Sequence, residues 1–332
     1  MVEQKIGIVG GSGFVGSAIA RHLIKSYKIK IVDIKPISLE WLKESEIEFE
    51  KCDIRKYSQV KESLEDVDLI IHTAIVQIPL INEAKKLGYQ VNVLGTQNLC
   101  RFTDSNPRIK GLILSSSWHV FGESGLKGKL SEEFGFRPDN VQERARLYAL
   151  CKIAQESVVR IYDELSEKIF GVIRLGTVLG NEMPKKTAAN LFISKGLKGE
   201  TITPYSDSMY RPMLYADLVD IQRGFESYAK KILDGLIHKK GNSLDHIVNL
   251  FYPKPITIIE LAEIIQKLVI KETRGNTKPK IEIVDTKRPN IFTDVNLESV
   301  EVDISRIKHF LELDNLISPQ ESLNRIIKER LA

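Results

Sequence analysis

Lys5-Ile-Gly-Ile-Val-Gly-Gly-Ser-Gly-Phe-Val-Gly16 decides the fold: a short apolar run breaks into glycines and resumes as a helical pattern over residues 17–24. The expected order is strand, turn, helix. Glycine serves such a turn in three ways: it permits a tight reversal, close approach of backbone to a pyrophosphate, and close packing of helix on strand. The free N–H groups and positive dipole end of the new helix then attract phosphates. Two spacings fit the same residues, Gly11-x-Gly13-x-x-Gly16 and Gly10-x-x-Gly13-x-x-Gly16, and either binds a dinucleotide.

A second apolar run, residues 29–32, ends in Asp33, twenty positions beyond Gly13. A carboxylate at that distance is placed to bond an adenosine ribose 2′-OH. A glycine turn alone often has only a backbone role; the turn, helix and acidic residue together point to a dinucleotide.

Working outward, 332 residues allow a large core in one elaborated domain or two. Hydrophobic residues make up 42% and charged residues 28%, as in an ordinary globular enzyme, with no linker-like tract and no internal repeat. The formal net charge of +4 fits a phosphorylated small ligand better than nucleic acid. No apolar run reaches membrane-spanning length, and the first strand starts too early to leave room for a signal or transit peptide. A cytoplasmic location is expected. Cys52, Cys100 and Cys151 are odd in number and widely spaced, which predicts buried free thiols rather than disulfides or a zinc site.

Strand and helix signals alternate onward. A helical piece is expected over 39–43, strands over 47–49 and 68–74, and a helical stretch from there to about 103. The strand 111–114 runs into Ser115-Ser-Ser-Trp-His-Val-Phe-Gly122, placing three hydroxyls at the carboxyl edge of an open sheet, where such folds bind ligands. An irregular loop is predicted over 123–141, a long helix over 142–166, and a strand over 169–175. Beyond it the expectations are helices over 188–197 and 214–228, a short strand over 201–203, and a last sheet strand over 247–251. The remainder, with helices over 257–269, 305–313 and 319–331 and a strand over 280–284, reads as a smaller lobe.

Tyr148 and Lys152, four apart on the long helix, project from one face. A phenol ionises near pH 10, so making it a base at neutral pH requires roughly 4 kcal/mol of differential stabilisation, much of which a neighbouring ammonium can supply. By itself the pair is commonplace. After a glycine turn, a ribose-binding Asp and a strand ending in serines, it fits hydride transfer at a nicotinamide with a tyrosine acid/base.

These residues together resemble the extended short-chain dehydrogenase/reductase superfamily, in particular its NAD-dependent sugar-nucleotide epimerase/dehydratase group, over nearly the whole chain. The family pattern G-x-x-G-x-x-G selects Gly10, Gly13 and Gly16. The resemblance implies NAD held by these glycines with Phe14 and Val15, by Asp33, Asp53 and Ile54, by Thr73 and Ala74 of the segment His72-Thr-Ala74, by Asn92 of Asn92-Val-Leu-Gly-Thr-Gln-Asn98, and by Ser115, Tyr148 and Lys152. It implies Ser117, Tyr148 and Lys152 as the catalytic set. Arg174-Leu-Gly-Thr-Val-Leu-Gly180 resembles the family's R-x-x-N-V-Y-G, and Tyr210-Arg-Pro-Met-Leu-Tyr-Ala-Asp217 its R-D-F-V-H-V-D. Substrate contacts are thereby implied for Ser117, His119, Thr177, Asn190, Arg211 and Arg288. Arg211 and Arg288 could instead be salt-bridge partners, and Asn190 a helix cap.

Departures narrow the chemistry. Trp118-His119 stands where 4,6-dehydratases carry an acidic pair, which argues against dehydration, and Thr177 replaces the strand-end asparagine. A serine pair followed by His is also similar to the uronate dehydrogenases. The expected architecture is a Rossmann-type α/β domain over 1–176, with 212–251 returning to it, and a smaller, mostly helical substrate lobe over 177–211 and 252–332. The expected function is that of an NAD-dependent sugar-nucleotide epimerase akin to UDP-glucose 4-epimerases, acting as a homodimer and holding no metal. An NAD-dependent dehydrogenase of a free sugar or uronate is the alternative, and a non-catalytic dinucleotide sensor would need neither Tyr148 nor Lys152.

Overall fold

The computed structural model describes residues 4–36, 46–239, 241–289, 292 and 300–332. The helix expected over 39–43 lies outside them. Seven parallel strands form the central sheet: β1 (Lys5–Val9), β2 (Lys28–Asp33), β3 (Glu48–Lys51), β4 (Leu69–His72), β5 (Gly111–Ser117), β7 (Ile169–Leu175) and β11 (Ile247–Leu250). Their spatial order, β11-β7-β5-β4-β1-β2-β3, reverses direction between β1 and β4, so a crevice opens at the carboxyl ends of those strands. β4, β5, β7 and β11 are buried along their whole length, which explains their near-continuous apolar runs: helices cover both faces of the sheet. The fold is Rossmann-like.

Helix Phe14–Leu23 packs with Leu218–Leu233, while the long helix Glu143–Leu165 packs with Thr96–Ser105 and against β5 and β7. The last two long helices, Ile258–Glu272 and Pro319–Leu331, start as their residues dictate. Thr257 and Glu260, and Ser318 and Glu321, form reciprocal capping boxes that satisfy otherwise orphaned N–H groups.

Several expectations are corrected. β5 continues through all three serines, because β7 runs equally far beside it and pairs every residue from Gly111↔Ile169 to Ser117↔Leu175. Hydrogen-bonded partnership, rather than apolarity, sets where that strand ends. The helix expected from 214 begins at Leu218; before it, β10 (Tyr215–Asp217) pairs with β8 (Thr177–Leu179), and Asp217 caps the helix by accepting from the Val219 N–H at 2.7 Å. The strands expected at 201–203 and 280–284 are reduced to isolated bridges, Ile202↔Ile281 and Tyr205↔Val284. The stretch after Ala74 is broken into the short helices Leu80–Glu83 and Lys85–Tyr89 and a π-helical turn, Gln90–Gly95, ahead of Thr96–Ser105. The loop over 123–141 contains β6 (Gly128–Leu130), which pairs with β13 (Val300–Val302), and the helix expected over 305–313 stops at His309. β9 (Pro212–Met213) and β12 (Ile256–Thr257) form a further two-stranded piece.

Beneath the serines lies a buried ion pair. Arg174 of β7 donates from Nε to both Glu156 oxygens at 3.1 Å, and Ser116 donates its hydroxyl to the same carboxylate at 3.1 Å. The guanidinium also lies over the Phe121 and Phe136 rings. Paired charge of this kind fixes the long helix to the sheet at the level of Lys152.

Candidate active site

A cavity of about 550 Å³ opens at the reversal point of the sheet. Gly10, Gly13 and Gly16 line it and Gly11 does not, which resolves the two possible spacings. Gly10 has φ of +79°, and a Cβ there would fall 2.4 Å from the Ala74 amide nitrogen; a Cβ on Gly16 would fall 2.5 Å from the Gly10 carbonyl oxygen. Glycine is therefore required at both. The helix that follows has Gly13 at its N-cap with no side-chain cap, and no acidic residue in its first turn. Its N–H groups face the cavity as a phosphate cradle, the arrangement a dinucleotide needs.

Asp33, the last residue of β2, also lines the cavity. The Ser12 N–H donates to its Oδ2 at 3.1 Å and the Lys35 N–H to its Oδ1 at 3.3 Å, which fixes the carboxylate at the rim. Farther along, Asp53 lines the same wall, but Arg55 forks onto it with Nε 2.8 Å from Oδ1 and Nη2 2.6 Å from Oδ2. That fork holds the Asp53 carboxyl below its usual range. Sequence reading missed Arg55, whose only cue was its place two residues after Asp53. Phe14, Val15, Ile54, Thr73, Ala74 and Ser115 also line the cavity.

Asn92 does not. It is buried behind the wall, where its Oδ1 accepts from the Val76 N–H at 2.7 Å and its Nδ2 donates to the Val76 carbonyl at 3.2 Å. Its part is to hold Val76, which does line the cavity.

Ser117, Tyr148 and Lys152 meet at the inner end. Burial pushes the Tyr148 phenol up to about 12, against the pull of its hydrogen bond with Ser117. Burial also brings the Lys152 ammonium down to about 7, although Cys151 and Glu156 draw it upward. Lys152 donates to the Ser115 carbonyl at 2.7 Å. A shift in that direction makes Lys152 a weaker electrostatic support for a phenolate than a solvated ammonium would be.

The expected substrate residues are dispersed. His119, Thr177, Asn190, Arg211 and Arg288 all lie outside the cavity lining. Thr177 accepts from the Trp118 indole N–H at 3.2 Å. Asn190 is buried, donates to the Met183 carbonyl at 2.7 Å, and accepts from Ser194 and Arg330 at 3.2 Å each. Arg288 is exposed. Arg211 is buried and donates from Nη1 to Gln142 at 2.7 Å and to Glu123 at 3.3 Å, while its Nε has no partner among the described residues. Glu123 and Gln142 carry no motif and were not anticipated.

Residues 6–222 match the family described as "NAD dependent epimerase/dehydratase family". Among curated relatives, a UDP-glucose 4-epimerase of Rickettsia bellii is 24% identical over 66% of this chain and 62% of its own. A D-erythronate dehydrogenase of Haemophilus influenzae is 26% identical over 62% of this chain and 66% of its own. Among solved structures, the UDP-glucose 4-epimerase of Thermus thermophilus, in complex with NAD, superposes with a TM-score of 0.77 at 18% identity, covering 98% of this chain and 99% of that one. The glycine cradle, the rim carboxylate and a family match over most of the chain lead to one assignment: this protein belongs to the NAD-dependent epimerase/dehydratase family of enzymes.

Proposed function

We propose that the protein is an NAD-dependent epimerase of a sugar nucleotide, related in chemistry to the UDP-glucose 4-epimerases. The observation that carries this reading is that Ser117, Tyr148 and Lys152 share one cavity with the glycine cradle and Asp33. A hydroxyl-bearing carbon brought there lies between a redox cofactor site and a proton acceptor. Bound NAD would supply the hydride acceptor and, in an epimerase, the hydride returned to the opposite face of the sugar. Gly10, Gly13, Phe14, Val15 and Gly16 would hold the pyrophosphate, and Asp33 the adenosine ribose. Tyr148 would move the hydroxyl proton, Ser117 would bond the reacting oxygen, and Lys152 would turn from the Ser115 carbonyl to the nicotinamide ribose. The segments over 177–211 and 252–332 would form the substrate lobe. The test is to incubate the NAD-loaded enzyme with UDP-glucose and other nucleotide sugars and to follow both epimer and NADH. Epimer without net NADH supports the reading.

The position of Arg211 favours a second reading. Its Nη1 is engaged with Glu123 and Gln142 rather than lying along the cavity, so a diphosphate would have to displace those partners. A free sugar acid needs only one carboxylate contact. The D-erythronate dehydrogenase relative fits such a substrate. Stoichiometric NADH from a sugar acid, with no stabilisation by any nucleoside diphosphate, would decide for the dehydrogenase.

A further inference from the structure

Between β8 and the helix Ala188–Leu197, residues 180–187 form turns, with neither strand nor helix among them. Pro184 of this stretch is exposed and lines the cavity, so it stands at the cavity mouth. The first residue of the stretch meets the glycine cradle, since a Cβ added to Gly180 would fall 3.1 Å from Phe14 Cζ. Backbone outside a ladder keeps one place only where its polar groups find partners.

Here the partners come from two helices. Asn190 is buried and donates from Nδ2 to the Met183 carbonyl at 2.7 Å. Its Oδ1 accepts from Arg330 Nη1 at 3.2 Å. Arg330, on the helix Pro319–Leu331, also reaches the other end of the turn: Nε donates to Asn181 Oδ1 and Nη2 to the Asn181 carbonyl, each at 3.0 Å. One planar guanidinium thus holds Asn181 directly and Met183 through Asn190, a bridge that the single nitrogen of a lysine cannot make. Pro184 follows Met183 at once, and Thr187 holds it from the other side by donating its hydroxyl to the Pro184 carbonyl at 3.0 Å. A further contact, Arg21 with Glu182 at 3.1 Å, joins two exposed side chains and contributes little.

We propose that Arg330 is a positioning residue for the cofactor: by gripping Asn181 and Asn190 together it fixes the turn as the outer wall of the cavity, and so sets how tightly NAD is held. The proposal rests on the reading of the cavity as the NAD site. Arg330 lies outside the cavity lining and acts only through Met183 and Pro184. With the fork in place the wall is ordered before any ligand arrives. Without it, the ligand must order the wall as it binds and loses affinity by that amount. Asn190, expected to meet a substrate, is on this account an anchor for the same wall.

The turn carries its own reporter, the exposed Lys185 and Lys186, after which trypsin cuts when the wall opens. Brief digestion of the protein without ligand, read by mass spectrometry, gives the cleavage rate there against the other tryptic sites of the same digest. Arg330→Ala should speed cleavage after Lys185 and Lys186 by about tenfold or more over those sites, one charge-assisted hydrogen bond being worth that much in an opening equilibrium. In a calorimetric titration the same variant should bind NAD several-fold more weakly. Arg330→Lys, which keeps the charge and the stem, is the milder second variant and should restore neither. Asn190→Asp keeps the acceptor for Arg330 but sets a carboxylate oxygen against the Met183 carbonyl, and should act in the same direction. Cleavage after the two lysines that stays at the wild-type rate, or rises only as much as at every other site, overturns the proposal. Faster local cleavage with NAD affinity unchanged also overturns it, because Arg330 is then an anchor of the turn and nothing more. A wild type that does not bind NAD removes the cofactor reading itself and the proposal with it, an outcome told apart because the digestion needs no cofactor.

Discussion

Asp33 sets the cofactor preference by charge and position. Its carboxylate is held at the cavity rim by two backbone N–H groups, so it cannot swing away from a ribose placed against β2. A 2′-hydroxyl gains an acceptor there, and a 2′-phosphate meets a like charge. NAD should bind more tightly than NADP in a calorimetric titration, and Asp33→Ala should narrow the gap; tighter NADP binding by the wild type would refute this. At the inner end the labour is divided. Tyr148→Phe removes one hydroxyl and should leave NAD affinity near normal while lowering turnover by roughly 10²–10⁴-fold. Lys152→Ala should impair both, because Lys152 is poised near the serines and would also hold the ribose. Steady-state kinetics and NAD titration on the two variants check this, and a Tyr148→Phe enzyme with most of its activity would remove the tyrosine from its role. At this scale the gathering of the glycines, the strand-end acid and the Tyr-x-x-x-Lys pair round one cavity was legible, since these act through local backbone geometry. The surroundings of the residues expected to meet a substrate were not. Arg211 meets Glu123 across 88 positions of chain and Asn190 meets Arg330 across 140, and no local pattern announces such partners.

Between elements, the buried Arg174 and Glu156 pair joins β7 to the long helix directly under β5. Both side chains are almost wholly removed from water, so each charge depends on the other. Glu156→Gln should destabilise the fold by about 3–5 kcal/mol, the usual consequence of leaving one member of a buried pair uncompensated. A double replacement by apolar residues, Arg174→Met with Glu156→Leu, should recover much of that loss, because desolvation and attraction nearly cancel when both charges go. Denaturant unfolding midpoints measure both, and a Glu156→Gln variant as stable as wild type would show that the pair is dispensable. This contact also explains where sequence reading of the elements fell short. Apolar periodicity located every strand of the main sheet, but it ended β5 at Leu114 because serines look like a strand end. The structure carries the strand to Ser117, since the β7 ladder and a charged pair beneath the sheet satisfy the hydroxyl-bearing residues. Likewise Asp217, a good N-cap residue, was the local signal that the next helix starts at Leu218 rather than at 214.

For the whole molecule, the long helix has a second face to account for. Leu147, Leu150, Ala154, Val158, Ile161 and Leu165 recur at steps of three and four and so share one stripe. The opposite stripe, with Ala149, Lys152, Gln155, Glu156 and Val159, is buried toward the sheet. On the outer stripe Leu150 is 44% exposed, Ile161 55% and Leu165 78%, and Tyr89 and Leu94 on the neighbouring helical segment are 54% and 42% exposed. A twofold axis through these two adjacent helical segments would lay the apolar stripe on its own copy and bury both. The homodimer expected from the family resemblance is therefore assigned to this face as a proposal. Sedimentation equilibrium should give twice the mass of the 37.6 kDa chain. Leu150→Glu with Ile161→Glu should halve that mass, since each carboxylate would be desolvated against an apolar partner, while leaving NAD affinity intact because the stripe that carries Lys152 toward the cavity faces the other way. The wild-type melting temperature should also rise with protein concentration, as it must when association favours the folded state, and that dependence should vanish in the double variant. A double variant that stays dimeric would move the interface to another surface of the molecule.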